Sequence, residues 1–250
     1  MRKENYKISH ALSSTTVILI IVIWQLYAMK VDNAFLMPHP LDVFKEFINL
    51  FRDPQTYVVL GFTFFRLIVS MSVAALMGLI LGLLSGIYYQ VEALLKPIII
   101  TLRTLPVISI IVVILILYGN TMSLYIISFL LLFPIIYQAE LDGIKNIRPL
   151  LLEALKLDCD KCSFPAVKMV YFPLSLPFFR TSLLQSAGLG IKVLVVAEFI
   201  AQTKNSIGWE LYFHRINLEY PVVFAWTFVL ILLVTGIEHI VVRFIKYQTQ

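Results

Sequence analysis

The chain has 250 residues, of which 60% are hydrophobic and 14% are charged, and its mean hydropathy is +0.88. Soluble domains carry about a quarter charged residues, so this composition excludes an ordinary soluble protein. The apolar runs are continuous and do not alternate with a period of two, which favours membrane-spanning α-helices. The net charge of +5 is spread over short segments, so nucleic acid is not an expected partner.

Six apolar stretches are long enough to cross about 30 Å of hydrocarbon, which predicts an all-α membrane protein with a single transmembrane domain over residues 1–250. The predicted spans cover residues 12–30, 57–87, 97–118, 122–138, 176–200 and 221–243. Between spans four and five, residues 143–175 form the longest polar interruption in the second half of the chain. Residues 41–51 have the spacing of an amphipathic helix, which would lie either at the membrane interface or in an ordinary loop.

The positions of lysine and arginine predict how the chain is oriented in the membrane. With six spans both termini lie on one side, and most Lys and Arg residues outside the spans then share that side with residues 143–175. Cytoplasmic segments carry the excess of positive charge in membrane proteins. Both termini and residues 143–175 are therefore predicted to be cytoplasmic.

A row of small residues follows one side of the second span. Its members recur at every fourth position and are Ser70, Ala74, Gly78, Gly82 and Gly86. Small side chains let a second helix approach closely, so we expect a packing face in preference to a binding site. Arg66 precedes this row near the predicted outer end of the span, where its long side chain is expected to reach the interface.

Five residues are candidates for lining a translocation pathway, namely Arg103, Pro106, Ser109, Lys192 and Glu198. Pro106 lacks a backbone donor and is expected to kink the third span, either for the pathway or for packing. An ionisable group at the centre of a span costs about 3 kcal/mol or more, so Lys192 is expected either to attract an anionic solute or, alternatively, to snorkel or pair with another span. Glu198 is expected to reach water at the outer end.

Catalytic and metal-binding motifs are not recognisable in the sequence. Cys159 and Cys162 form a CxxC pair, which supplies only half of a tetrahedral zinc site, so structural or incidental cysteines and no metal site are expected. The four histidines are scattered, and a phosphate-binding glycine loop is missing. The chain is therefore predicted not to be an enzyme, to bind no cofactor and to have no ATP site.

Two segments of the polar interruption resemble the EAA loop of permease subunits from importers driven by ATP-binding cassette (ABC) subunits. They are residues 151–155, Leu-Leu-Glu-Ala-Leu, and residues 171–177, Tyr-Phe-Pro-Leu-Ser-Leu-Pro. The family pattern has Glu-Ala-Ala, a glycine four residues later, and Leu-Pro at the end. This chain departs from that pattern at three points. Leu155 replaces an alanine, Cys159 stands at the glycine position, and Pro173 lies one residue further from Glu153 than the pattern expects.

The resemblance extends over most of the chain and is nearest to the nitrate, sulfonate and taurine branch of these permeases. Residues 35–40 resemble the entry after the branch's first span, and residues 66–86 resemble its second span. The remaining similar segments are 95–97 and 103–106 at the third-span opening, and 195–198 with 207–208 at the fifth-span end.

The resemblance implies a six-helix permease subunit in the bacterial cytoplasmic (inner) membrane, with a cytoplasmic pair of coupling helices between spans four and five. It implies three partners: an ABC ATPase dimer that uses ATP and Mg, a periplasmic or lipid-anchored solute-binding protein, and a second permease copy in a homodimer that pairs through small-residue faces. The residues expected to couple to the ATPase are Leu151, Leu152, Glu153, Ala154, Leu155, Cys159 and Pro173.

Two other function classes compete with this interpretation. An ATP-independent channel or secondary transporter is the main alternative, although the internal repeat typical of many secondary transporters is not evident. An intramembrane enzyme or assembly factor is the third class, but it would need paired catalytic groups. The sequence leaves open the solute, which could be a sulfonate, nitrate, a vitamin precursor or another small molecule, and also leaves open a permease heterodimer.

Overall fold

A computed structural model of the chain describes residues 2–31, 33, 37–158 and 164–248. Within these ranges the chain is helical and contains no β-strand. A π-helical turn (Val167–Tyr171) joins the seventh and eighth helices. In chain order the helices are α1 (Arg2–Val31), α2 (Pro40–Arg52), α3 (Pro54–Ile87), α4 (Tyr89–Thr104), α5 (Val107–Lys145), α6 (Pro149–Asp158), α7 (Phe164–Ala166), α8 (Phe172–Ala201), α9 (Ile207–Ile216) and α10 (Tyr220–Gln248).

Four helical segments in the described part of the chain are long and apolar enough to cross a membrane. They are α3, α5, the combined segment Val167–Ala201, and residues Tyr220–His239 of α10. Helix α1 contributes a shorter apolar stretch at Thr15–Val31. The predicted all-helical membrane class is confirmed, whereas the count of six spans stays a prediction.

The third predicted span is divided differently from the expectation. Helix α4 ends at Thr104, and both Leu105 (ψ 135°) and Pro106 (ψ 128°) are extended before α5 begins. Proline disfavours the α conformation of the preceding residue and lacks a backbone donor, so the helix stops here instead of merely bending. The predicted kink at Pro106 is therefore wrong. Pro97, which was expected to open the span, lies inside α4.

Helix α5 is itself interrupted at Gly119, between the third and fourth predicted spans. Gly119 has φ 71° and ψ −178°, a backbone conformation that residues with a Cβ rarely adopt. The Ser123 hydroxyl donates hydrogen bonds to the carbonyl oxygens of Gly119 and Ile114 at this point. The arm from Val107 to the interruption is about 18 Å long, which is too short to cross the hydrocarbon alone.

The chain divides into two compact units, and residues 59–209 with 232–250 form the larger one. Its core is centred on the second arm of α5, where apolar side chains of α3, α4 and α5 meet. The buried members are Ala74, Ile99, Leu132, Phe133, Ile136, Tyr137 and Leu141.

The small-residue row of α3 faces α5 within this larger unit. A Cβ atom added to Gly78, Gly82 or Gly86 would lie 2.8, 2.7 or 2.6 Å from the nearest α5 side-chain atom, so α5 occupies the space that these glycines leave. Ser70 and Ala74 are buried on the same helix. The row is thus covered by the chain's own α5, which corrects the expectation that two copies pair through it.

The smaller unit comprises residues 1–58 and 210–231. Trp24 stacks on Phe224 and Phe228, with ring centroids 5.7 and 6.0 Å apart. The Trp24 indole donates a hydrogen bond of 3.1 Å to the Pro38 carbonyl oxygen. The predicted amphipathic helix is present as α2, which buries Val43 and leaves most of its other apolar side chains partly or fully exposed.

Candidate functional site

Helix α6 contains most of the residues expected to couple to an ATPase. It begins at Pro149, where proline is well tolerated because the first backbone donors of a helix have no partner within it. Leu150 is 76% exposed, and Leu151 and Glu153 are exposed too. These three side chains give α6 an outward surface with two apolar groups and one carboxylate.

The opposite side of α6 is attached to the body of the larger unit. Leu155 is buried in a cluster against which Leu152 also packs, and the cluster consists of Ile144, Ile147, Leu155, Ala166 and Tyr171. Leu155 was expected to contact the ATPase, and this placement turns it inward, whereas the exposed Leu150 was not among the expected coupling residues. Cys159, Cys162 and the Ala154 side chain lie outside the described residues.

The second half of the coupling loop is continuous with the fifth predicted span. Helix α7 passes through the π-helical turn into α8, and the Phe172 amide donates to the Val167 carbonyl five residues earlier. Pro173 lies in the first turn of α8. The second member of the expected pair of coupling helices is therefore not a separate helix, because the wider π-turn precedes the proline and the helix continues into α8.

A buried carboxyl group lies near the start of α8. Glu140 of α5 is fully buried, accepts a hydrogen bond from the Ser175 hydroxyl and contacts Gly82 of α3. Its second oxygen, Oε2, has no hydrogen-bond partner among the residues that the structure describes. Glu140 was not among the residues predicted from the sequence, because it lies next to Asp142 just after the fourth predicted span, where polar residues are ordinary. Three helices thus meet at one acidic side chain.

A second buried network lies at the other end of α8 and is centred on Glu198, which has no exposed surface. Arg66 Nη1 donates to Glu198 Oε1 at 3.0 Å, and the two groups form an ion pair. The Thr63 hydroxyl lies 3.0 and 3.1 Å from the two carboxylate oxygens. This arrangement corrects two expectations: Glu198 does not reach water, and Arg66 does not extend to the interface.

The same network holds the start of α9. The Gly208 amide donates to Glu198 Oε2 at 3.3 Å, and the Ile207 amide donates to the Thr63 hydroxyl at 3.2 Å. Anionic groups are favoured at a helix N-terminus, where amide donors lack partners within the helix. Gly208 also packs against the backbone of α8, where a Cβ atom would collide with the Phe199 amide nitrogen. The network therefore ties α3, α8 and α9 together.

Lys192 has a partner from another helix, as one of the two alternatives predicted. Its Nζ lies 3.7 Å from Glu238 Oε1 of α10, and the two side chains are 57% and 58% exposed. It makes no contact with Glu198, in agreement with their spacing along the helix. Arg103, Pro106 and Ser109 are exposed at the break between α4 and α5.

A groove of about 560 Å³ runs between α5 and α8 on the larger unit. Five of its eight lining residues are polar, and the other three are alanine, proline and phenylalanine. The lining residues are Ala139, Asp142, Asn146, Pro177, Phe178, Thr181, Ser182 and Gln185. Among the residues that the structure describes, no three His, Cys, Asp or Glu side chains are grouped to hold a metal ion.

The smaller unit carries a histidine between two carboxylates. His214 Nε2 lies 3.3 Å from Glu210, and Nδ1 lies 2.5 Å from Glu219 across the turn into α10. The hydrogen bond with Glu210, supported by that with Glu219, raises the pKa of His214 above its ordinary value, although partial burial opposes the shift. The protonated imidazole is thus the form that this site favours.

These features define a multi-pass helical membrane protein with buried polar links between its helices and exposed polar residues along α8. Residues 74–248 match the family described as binding-protein-dependent transport system inner membrane component, and the chain belongs to that family. It is a transmembrane permease subunit of an ABC importer.

Three relatives illustrate the similarity. The chain is 24% identical to the taurine transport system permease protein TauC of Escherichia coli (strain K12), over 76% of this chain and 71% of the relative. It is 25% identical to the putative aliphatic sulfonates transport permease protein SsuC of Bacillus subtilis (strain 168), over 74% and 68%. It is 24% identical to the formylaminopyrimidine transport permease protein ThiX of Halalkalibacterium halodurans, over 86% of both chains.

Proposed function

We propose that α6 is the element through which a separate ATPase subunit drives this permease. The single observation that carries the proposal is the division of α6 into two sides. Leu152 and Leu155 fix it to the larger unit, while Leu150, Leu151 and Glu153 are left exposed. A helix held by its own buried side chains passes on a displacement as a rigid body, which a loose loop would not do.

The proposed topology has six crossings, with both termini and α6 in the cytoplasm of the bacterial inner membrane. Four long apolar segments and the apolar stretch of α1 account for five crossings. The division of α5 at Gly119 supplies the sixth, since the first arm together with α4 then forms one crossing and the second arm forms another. The distribution of Lys and Arg supports the cytoplasmic side for α6.

The proposed assembly has two permease copies, two ATPase subunits that use ATP and Mg, and a solute-binding protein on the outer side. Since the α3 small-residue row is occupied within each chain, the copies would pair through another surface. The transported solute is proposed to be a small organic molecule of the kind named for the first relative, such as the zwitterionic sulfonate taurine. Membership of this family argues against an ATP-independent channel or secondary transporter.

Co-purification with the ATPase subunit tests the role of α6. The double variant Leu151→Ala/Glu153→Ala removes one apolar and one charged contact from the exposed side and should weaken capture of the ATPase roughly tenfold. Leu94→Ala is the control, since Leu94 is 71% exposed and lies on α4, away from α6. Full capture and full ATP-driven transport by the double variant would show that α6 is not the coupling element.

A further inference from the structure

One exposed side of α8 carries three polar residues, interspersed with exposed apolar side chains. Thr181, Gln185 and Lys192 fall within about 40° of one another on a helix that turns 100° per residue. Gln185 and Lys192 are exposed, and Thr181 is partly exposed. Thr181 and Gln185 also line the groove between α5 and α8, so the polar positions continue from that groove towards Lys192. We call these three residues the α8 polar track.

The α8 polar track differs from the sides of the chain suited to lipid. The exposed positions of α3 between residues 57 and 84 include no Asp, Glu, Lys or Arg, and large apolar side chains such as Phe62, Phe65 and Leu76 dominate them. A charged group at the centre of the hydrocarbon costs about 3 kcal/mol or more. Lys192 and Glu238, both more than half exposed, are therefore placed to face water and not lipid.

Glu238 approaches the track from α10 and sets its charge. It passes Gly188, one turn before Lys192, where a Cβ atom would lie at the ordinary contact distance of 3.7 Å from Glu238 Cγ. The Lys192 ammonium and the Glu238 carboxylate lie 3.7 Å apart. At that distance the field of one charge largely cancels that of the other for a solute a few ångströms further away.

We propose that Lys192 and Glu238 form a charge-compensated pair in the solute route, so that the route favours solutes of net charge near zero over simple anions. The proposal rests on the proposed function, in which the α8 polar track lines that route. Without Glu238, Lys192 would attract anions; with Glu238 beside it, the pair carries no net charge. Removing Glu238 alone should create an anion-attracting site, and removing Lys192 alone should create a cation-attracting one.

Charged thiol reagents test this potential without knowledge of the solute. Gln185→Cys is introduced into the full chain with Cys159→Ser and Cys162→Ser, in the importer complex reconstituted in nanodiscs at low salt. The probes are anionic sulfonatoethyl and cationic trimethylammonioethyl methanethiosulfonate, and the measured quantity is the ratio of their reaction rates. The ratio at Leu94→Cys, an exposed position on α4, corrects for the intrinsic reactivity of the two reagents.

The expected ratios follow from one uncompensated charge about 10 Å from the new cysteine, the rise over seven helical residues. In water-like surroundings such a charge changes each rate about twofold in opposite directions, and hence the ratio about fourfold. Glu238→Gln should raise the anion-to-cation ratio by that factor, and Lys192→Met should lower it. The double variant and Lys192→Arg should both return the ratio to the level of the parent, and 1 M salt should remove the differences.

Two results would overturn the proposal. If the ratio is the same in all variants, the pair does not set the potential of the route. If Gln185→Cys fails to react with either reagent while Leu94→Cys reacts, the track is covered by lipid or by a second copy. Lys192→Gln replaces Lys192→Met if the latter does not assemble. ATPase capture, measured in the same samples, reports separately on the proposed function and should stay unchanged in every Lys192 and Glu238 variant.

Discussion

Substituting Arg66 by methionine should destabilise the protein strongly, because the buried Glu198 carboxylate then loses its counter-charge. The Arg66 guanidinium lies 3.0 Å from a carboxylate that has no exposed surface. Removing one partner of a buried ion pair costs about 3 to 5 kcal/mol, since the remaining charge is left uncompensated. Thr63 and the Gly208 amide still donate to Glu198, which favours the lower half of this range.

The loss is measured by thermal denaturation of the purified permease in detergent, followed by size-exclusion chromatography of the soluble fraction. For a chain of this length, about 3 kcal/mol corresponds to a Tm lower by roughly 10 °C. Glu198→Gln, added to Arg66→Met, removes the uncompensated charge and retains a carbonyl acceptor for the Gly208 amide. The double variant should therefore recover more than half of the lost Tm.

Lys192→Met is the matched control, because it also removes one cation from an ion pair between two helices. That pair is 3.7 Å apart and more than half exposed on both sides, so its contribution is about 0 to 1 kcal/mol and the Tm should fall by no more than a few degrees. If Arg66→Met is as stable as Lys192→Met, or if Glu198→Gln does not rescue it, the reasoning from burial is refuted.

Two further predictions concern packing and pH. Gly82→Val should prevent close contact between α3 and α5 and lower the yield of folded protein. Gly61→Val is the control, because nothing lies within 4 Å of its Cβ site, and it should leave the yield nearly unchanged. Equal yields of the two variants would contradict the packing role of Gly82. Contacts with Glu210 and Glu219 raise the pKa of His214 in the folded protein. The stability that these contacts contribute is therefore fully present below the unfolded pKa of about 6.5, and it declines as the pH rises through the higher folded pKa. His214→Gln should remove this decline from a Tm measured against pH, and an unchanged pH profile would argue against it.

The helical class and the membrane location follow from the sequence because they depend on composition and on uninterrupted apolar length. The packing role of Gly78, Gly82 and Gly86 was also predictable, since a spacing of four places them on one side of a helix. The break at Pro106 was placed correctly but described as a kink. Local sequence shows that a hydrogen bond must be lost there, and only the neighbouring structure decides whether the helix resumes in the same direction.

The partners of charged residues could not be predicted, since they depend on how helices far apart in the chain are rotated. Arg66 and Glu198 each read as a residue near a helix end, and their 132-residue separation contains no signal of a contact. The inward position of Leu155 could not be predicted either, because Leu155 packs against Ala166 and Tyr171, which follow the polar part of the loop. The cost of a charge in a span predicts that partners exist but does not identify them.

The helical segment from Val167 to Ala201 is continuous, so it can tilt as one rigid rod. Its 35 residues extend over about 52 Å, from the π-helical turn beside α6 to the last turn, where Glu198 lies. A tilt of about 10° about the end beside α6 would move the Glu198 end by about 9 Å, which is more than the Arg66 and Thr63 contacts could follow. Small rotations imposed at α6 would thus either break the Arg66–Glu198 ion pair or carry α3 and the start of α9 along with α8.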